Sequence, residues 1–222
     1  LSHPQLAELL ALAAARERKV CITTNGTLLA RQTETLLAAR TLHKVSVSLH
    51  SFEGNDGAPE REREYLDAVW AFADRAAAQG VIVALRLWNE GGAETRNGAI
   101  EAYLRGKCPG EWPEPRSGSF RLRESLYLER SGRFDWPDLG ARERGTQFCY
   151  GLRDQLGVLA DGTVIPCCLD HEGDIALGNL FLQPLEEILQ SERARALREG
   201  FSRRRPSEEL CRRCGFAARF NR

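Results

Sequence analysis

Methionine is absent from all 222 residues, including the first position. The chain begins Leu1-Ser2-His3-Pro4, and removal of an initiator methionine favours a small residue next to it, not leucine. We therefore expect the chain to be a fragment of a longer protein.

Other absences narrow the class of protein. No apolar run approaches the roughly 18 residues that a membrane-spanning helix needs, and no signal peptide opens the sequence. Basic and acidic residues number 31 each, so the net charge favours neither a nucleic acid nor a membrane as partner. Internal repeats and low-complexity segments are absent as well. These features predict a globular protein with no membrane partner.

The cysteine content is the first positive signal. Seven cysteines are an odd number, they are unevenly spaced, and five of them lie in the last third of the chain. This distribution is typical of a metal or cluster site and not of a disulfide framework. It indicates a reducing compartment, and we expect a cytoplasmic protein.

Helical and β patterns alternate through the first 89 residues. Amphipathic helices are predicted over 3–18, 30–40 and 60–80, the last closed by a glycine. Between them, β-rich runs predict strands at 20–24, 44–52 and 81–89, and the last reads as a strand buried on both faces. This αβαβαβ order predicts an α/β fold with right-handed crossovers and a parallel sheet or barrel.

The pattern then weakens and changes. A short helix is predicted at 97–108, one more strand at 120–130 and a linker at 132–147. Two short β-runs flank Asp161-Gly162, a residue pair that favours a hairpin turn, and a helix is predicted from Pro184 to residue 201. We expect two domains, residues 1–140 and 141–222.

The last five cysteines have spacings that suit a shared metal site. Cys211 and Cys214 form a CxxC clip, which lets two thiolates turn toward one metal. The predicted hairpin brings Cys149 and Cys167 together, and the helix after it returns the chain to deliver the clip. Four thiolates suit a [4Fe–4S] cluster or a zinc ion. Because adjacent strand residues point to opposite faces, we expect Cys167 to be the ligand and Cys168 to pack elsewhere.

The pattern C-x12-G-x4-C…C-x2-C, from Cys149 through Gly162 to Cys214, resembles the SPASM/twitch auxiliary-cluster domain of radical S-adenosylmethionine (SAM) enzymes. The resemblance covers about residues 148–216, and a single CxxC is closer to the one-cluster twitch form. More loosely, TTNGTLL, VSVSLHS and VIVALRLWN resemble the third to fifth strands of the family's partial (β/α)6 barrel.

The resemblance implies a cofactor set and a reaction. A [4Fe–4S] cluster would cleave SAM to a 5′-deoxyadenosyl radical, which takes hydrogen from a peptide or small-molecule substrate. Flavodoxin or ferredoxin would supply the electron, and the auxiliary [4Fe–4S] cluster would accept an electron or place the substrate. The family's CxxxCxxC loop and Gly-Gly-Glu-Pro motif are missing here. We expect both upstream and this chain alone to be inactive; a degenerate homologue is the alternative.

The resemblance also suggests SAM contacts, each with a structural alternative. Thr24 and Asn25 end the third barrel strand, although Asn25-Gly26 is equally suited to a tight turn. Ser48 and His50 end the next strand, where capping or core-lining roles are equally suited. Arg86 lies in an apolar strand, where either a SAM carboxylate or a protein carboxylate would partner it.

A zinc-binding module is the competing hypothesis. Residues 193–222 hold ten arginines against three acidic residues, and a four-thiolate zinc ribbon with arginines is able to bind nucleic acid phosphates or a protein. Arginines on a helix that also carries glutamates are more typical of a solvated face. We therefore do not expect a nucleic acid partner, and metal content discriminates between the two hypotheses.

Overall fold

The computed structural model describes residues 1–54, 61–92, 94–145 and 147–220. The chain divides into two compact units, Leu1–Arg133 and Phe134–Arg222. The sequence analysis placed this division after residue 140. Residues 134–140 group with the second unit, where the Gly215 N–H donates a hydrogen bond to the Asp135 carbonyl oxygen.

The first unit is built on a mixed five-stranded sheet in the order β1-β2-β3-β5-β4. Its strands are β1 (Val20–Thr24), β2 (Leu42–Ser48), β3 (Ile82–Glu90), β4 (Ser119–Arg123) and β5 (Leu126–Gly132). Strands β1, β2, β3 and β5 are parallel. The helices described here are α1 (Leu6–Ala15), α2 (Leu29–Leu37), α3 (Ser51–Gly54), α4 (Glu62–Ala78) and α5 (Asn97–Lys107).

The single strand predicted over 120–130 is instead an antiparallel hairpin of β4 and β5. The chain reverses at Ser125, which adopts a left-handed conformation (φ 59°) without the glycine that would have signalled a turn. The sheet is therefore mixed and not purely parallel, with β4 as its antiparallel edge.

The two faces of this sheet differ sharply. On one face, fully buried Val47, Leu85 and Leu128 belong to a single apolar core with the helices. On the opposite face, Arg86 pairs in register with Ser48 and Glu129. On the Arg86 face of β3, Ala84 is buried, whereas Ile82, Arg86 and Trp88 are half-buried, so the expectation that both faces of this strand are buried holds only in part.

The second unit contains a three-stranded antiparallel sheet of β6 (Gly157–Val158), β7 (Thr163–Ile165) and β8 (Gly178–Asn179). Its helices are α6 (Leu185–Gln190), α7 (Glu192–Ser202), α8 (Glu209–Arg212) and a 3-10 helix, Phe216–Phe220. The hairpin turn at Asp161-Gly162 is where the sequence predicts it, with Gly162 at φ 85°.

The helix predicted from Pro184 to residue 201 is split into α6 and α7. Ser191 between them is extended (ψ 154°), and its hydroxyl accepts a hydrogen bond from the Ala194 N–H at 3.2 Å. Ser191 therefore caps α7, because its side chain satisfies a backbone N–H that has no partner within the helix.

A small apolar core holds the second unit together. Its buried members include Val164, Ile175, Ile188, Leu197, Phe201 and Leu210. Cys149 and Cys211 pack against this core, so the metal-site candidates are tied to the unit's folding. No helix within the described ranges is both long and apolar enough to cross a membrane.

Candidate metal centre

Four cysteine side chains line one cavity in the second unit: Cys149, Cys167, Cys211 and Cys214. The cavity holds about 490 Å³ of empty space, part of it open to solvent. Much of the remaining wall is apolar and includes Pro137, Pro166, Leu169, Ile175, Phe201, Leu210 and Phe216. The chain thus surrounds a largely apolar cavity with soft sulfur ligands, an environment suited to thiolate-bound metals.

The hairpin and helix α8 position the four cysteines at the cavity. The hairpin of β6 and β7 returns the chain, and the Leu152 N–H donates to the Pro166 carbonyl oxygen at 3.3 Å, which brings the Cys149 and Cys167 segments side by side. Helix α8 carries Cys211, and the chain turns after it so that the Cys214 N–H donates to the Cys211 carbonyl oxygen at 3.3 Å.

Gln147 joins the two halves of the site. Its side chain is only 1% exposed, and its amide Nε2 donates to the Arg212 carbonyl oxygen, inside the CxxC clip, at 3.1 Å. Its backbone N–H donates to the Arg204 carbonyl oxygen at 3.1 Å. Sequence reasoning missed this residue, because a lone glutamine in a predicted linker carries no recognisable signal.

Burial raises the pKa of all four cavity thiols. It brings the pKa of Cys167 to about 11, and neighbouring thiols raise the pKa of Cys211 further. In the metal-free protein at neutral pH these groups are therefore neutral thiols. A bound metal reverses the preference, because its positive charge stabilises the thiolate, and binding then releases protons.

Backbone N–H groups already face three of these sulfurs. The Gly151 N–H donates to the Cys149 sulfur at 3.4 Å. The N–H groups of Leu169 and Asp170 lower the pKa of Cys167, and those of Phe216 and Ala217 lower the pKa of Cys214, each partly opposing the larger effect of burial. Hydrogen bonds to cluster ligands help to set the reduction potential of an iron–sulfur centre.

Asp170 shapes the loop that follows Cys167. Its carboxylate is 2% exposed and accepts hydrogen bonds from the backbone N–H groups of Asp174, at 2.9 Å, and Ile175, at 3.0 Å. Burial nonetheless raises the pKa of Asp170. Asp170 also lines the cavity, so the loop that its carboxylate closes forms part of one wall.

Cys168 is exposed and is not among the residues that line the cavity. Its separation from Cys167 is as expected, but the expectation that it packs elsewhere is wrong, because its side chain is exposed. Strand β7 ends at Ile165, so the two cysteines lie in the bend that follows and not on the strand itself.

The donor set fits an iron–sulfur cluster. Among the residues that the structure describes, no three cysteine, histidine or carboxylate side chains are grouped closely enough to hold a single metal ion. Iron–sulfur clusters are held by cysteine thiolates, and four cysteines line this largely apolar cavity.

The predicted SAM contacts lie in the first unit. Thr24, Asn25, Ser48 and His50 are at or just beyond the carboxyl ends of β1 and β2, and Arg86 is in the middle of β3. Thr24 pairs in register with Val47 and so shares the helix-covered face, whereas Ser48 pairs with Arg86 on the opposite face. The structure therefore groups Ser48 with Arg86 but not with Thr24.

Hydrogen bonds show what each of these side chains does in this structure. The Thr24 hydroxyl and the Asn25 side-chain oxygen accept bonds from the Gly26 and Thr27 backbone N–H groups, at 3.1 and 3.2 Å. These bonds build the tight turn that was the structural alternative for both residues. The ring Nδ1 of His50 lies 3.1 Å from the Arg86 carbonyl oxygen, so β3 holds this ring in place.

Arg86 has a protein carboxylate as its partner. Its Nε donates to the Glu129 carboxylate at 3.0 Å, and its guanidinium lies 4.2 Å from the centre of the Trp88 ring. Glu129 also pairs with Lys44 at 3.3 Å. The open face of the sheet thus carries a network of paired charges.

Comparison with protein-family models identifies part of the second unit. Residues 149–215 match SPASM, described as an iron-sulfur cluster-binding domain. The match includes all four cavity cysteines and covers less than half of the chain. A radical SAM core is not detected. No curated protein and no solved structure matches the chain significantly.

Proposed function

We propose that Cys149, Cys167, Cys211 and Cys214 bind one auxiliary [4Fe–4S] cluster, as part of a radical SAM enzyme. The observation that carries the proposal is the convergence of four thiols on one largely apolar cavity, within the region that matches the SPASM domain. SPASM domains bind the auxiliary clusters typical of radical SAM enzymes.

The first unit takes the role of a partial (β/α)6 barrel in this proposal. Four of its strands are parallel, helices cover one face, and a charged and polar face is left on the other side. In this proposal that polar face lines the space for SAM and for a peptide or small-molecule substrate. Flavodoxin or ferredoxin is the proposed electron donor to the SAM-cleaving cluster.

When bound, the auxiliary cluster would supply a one-electron acceptor or an anchoring point for the substrate. The chain's own residues do the rest. Gln147 holds the Cys149 segment to the CxxC clip, Asp170 fixes the loop after Cys167, and the apolar wall keeps water away from the sulfurs.

The pairing of several C-terminal arginines with carboxylates weighs against the zinc and nucleic acid alternative. Arg193 forms two bonds to the Glu208 carboxylate at 2.8 and 2.9 Å, and Arg213 pairs with Glu209 at 2.7 Å. Arginines bound to protein carboxylates are less available to phosphates.

Anaerobic reconstitution with iron and sulfide tests the proposal. The protein should turn brown, absorb broadly near ~400 nm and hold about four irons and four sulfides per chain. Reconstitution in the presence of excess zinc is the control for metal choice. A colourless protein that holds one zinc and no sulfide would rule out the cluster and favour the zinc module.

A further inference from the structure

The residues that precede the family-matched region do not form a simple linker. Residues 134–145, here called the strap, run across residues 211–215, here called the knuckle. At the crossing, the Gly215 N–H donates to the Asp135 carbonyl oxygen at 3.1 Å. A Cβ atom on Gly215 would lie 2.5 Å from that oxygen, so the crossing requires glycine at this position.

Further bonds fasten the strap to the knuckle. The Arg144 N–H donates to the Arg212 carbonyl oxygen at 2.9 Å, and the Arg212 Nε donates to the Glu143 carboxylate at 3.0 Å. The Arg213 guanidinium bonds to the Ala141 carbonyl oxygen. The strap is therefore held through both backbone and side chains at the segment that carries Cys211 and Cys214.

Aromatic contacts extend the strap over the cavity. Phe134 meets Phe216, a cavity-lining residue, edge to face at 5.0 Å between ring centres. Trp136 meets His171, on the loop after Cys167, at 5.3 Å. Pro137, which follows Trp136, lines the cavity itself, and it is the one lining residue in the described part of the chain that precedes Cys149.

We propose that the strap shields the bound cluster, with Pro137 forming part of the wall and Trp136 holding the strap against the His171 loop. The inference rests on the proposed cluster. The strap bridges the two sides of the cavity, from the knuckle to the loop after Cys167, and so limits entry of water and oxygen. Solvent access helps to set both the lifetime and the potential of an iron–sulfur centre.

The test compares reconstituted Trp136→Ala with the wild-type chain. Under air, the absorbance of this variant near ~400 nm should bleach roughly two- to tenfold faster than that of the wild type. Loss of one edge-to-face contact raises by about that factor the fraction of molecules in which the strap has left the cavity. Its reduction potential should move to a more positive value, because water stabilises the added negative charge of the reduced state. Trp136→Phe, which keeps a ring against His171, should stay close to wild type.

Phe181→Ala is the matched control. Phe181 is 78% exposed in the same unit and does not line the cavity. Its removal should change neither the bleaching rate nor the potential. If Trp136→Ala bleaches and titrates like Phe181→Ala, the strap is not a shield.

A measurement on the metal-free chain separates this inference from the proposed function. Alkylation of Cys211 and Cys214 by iodoacetamide, followed by mass spectrometry, should be faster in Trp136→Ala and in His171→Ala than in wild type. This alkylation measurement needs no cluster, so it tests the strap even if Trp136→Ala takes up no iron. Unchanged alkylation in both variants overturns the shield, whereas a wild-type chain that never forms a cluster overturns the proposed function alone.

Discussion

Replacing Asp170 by asparagine should weaken the loop after Cys167. The carboxylate accepts two backbone N–H bonds, at 2.9 and 3.0 Å, inside a site where both Asp170 and Ile175 are 2% exposed. Asparagine keeps one oxygen and turns an NH2 group toward the other N–H. A buried N–H without an acceptor costs about 1–3 kcal/mol in the free energy of unfolding.

Asp170→Ala removes both acceptors, so its cost should be roughly twice as large, about 2–6 kcal/mol. A loss of 1 kcal/mol lowers the Tm of a unit of this size by roughly 4–8 °C. Both variants should also hold less iron after reconstitution, because the loop forms one wall of the cavity.

Hydrogen exchange followed by mass spectrometry measures the effect where it arises. The peptide covering residues 170–177 should exchange faster in Asp170→Asn, in both metal-free and reconstituted protein. Asp174→Asn is the control: it removes the same charge from the same loop, but its side chain is exposed. If Asp170→Asn exchanges and binds iron as wild type does, the reasoning about this carboxylate is refuted.

Three further predictions concern the cysteines, the hairpin turn and the cleavage of SAM. Alanine at Cys149, Cys167, Cys211 or Cys214 should abolish cluster binding and destabilise the second unit, since metal binding contributes to folding, whereas Cys168→Ala should retain about four irons. Iron analysis of all five variants decides this, and loss of iron in Cys168→Ala but not in Cys167→Ala would reverse the assignment. Gly162→Ala should lower the Tm of the second unit, because φ is 85° and the new Cβ would lie 2.7 Å from the Phe181 ring. Gly145→Ala is the control for backbone strain alone, because φ is 74° and no atom lies within 4 Å of the new Cβ. If both variants lose the same Tm, the clash with Phe181 makes no contribution. Incubation with dithionite and SAM should yield no 5′-deoxyadenosine, because four cysteine ligands leave no iron open to SAM; catalytic amounts, measured by chromatography, would contradict the division of roles between the two clusters.

The elements with strong local signals were predictable from the sequence. The β-branched run Val20–Thr24 forms β1 with the expected bounds, and Asp161-Gly162 makes the expected hairpin turn. Ser125 was missed because its left-handed turn contains neither glycine nor proline. Ser191 was missed because one serine within a longer helical pattern is a weak signal for a cap.

The site was predictable only in part, for a similar reason. The hairpin and the CxxC clip predicted that the four thiols converge, and they line one cavity; their role as ligands stays a prediction. The supporting contacts join residues far apart in sequence. Arg86 and Glu129 are 43 positions apart in the sequence, and Gln147 and Arg212 are 65 positions apart. No local sequence pattern therefore predicts either hydrogen bond.

The strap shows the same limit most clearly. Its proline, glycines and charges are typical of a linker, and its sequence gives no sign of the knuckle that it crosses. The fit depends on Gly215, which leaves room for the Asp135 backbone 80 positions away. Such a match between a glycine and a distant backbone becomes visible only in the folded chain.

Native mass spectrometry of the anaerobically reconstituted chain shows directly whether these cysteines hold a cluster. We expect one dominant species, heavier than the metal-free chain by four irons and four sulfides. The same addition should persist in Cys168→Ala and disappear in Cys214→Ala. A wild-type chain that carries a single zinc ion, or an iron–sulfur addition that survives in Cys214→Ala, would contradict a cluster held by these four cysteines.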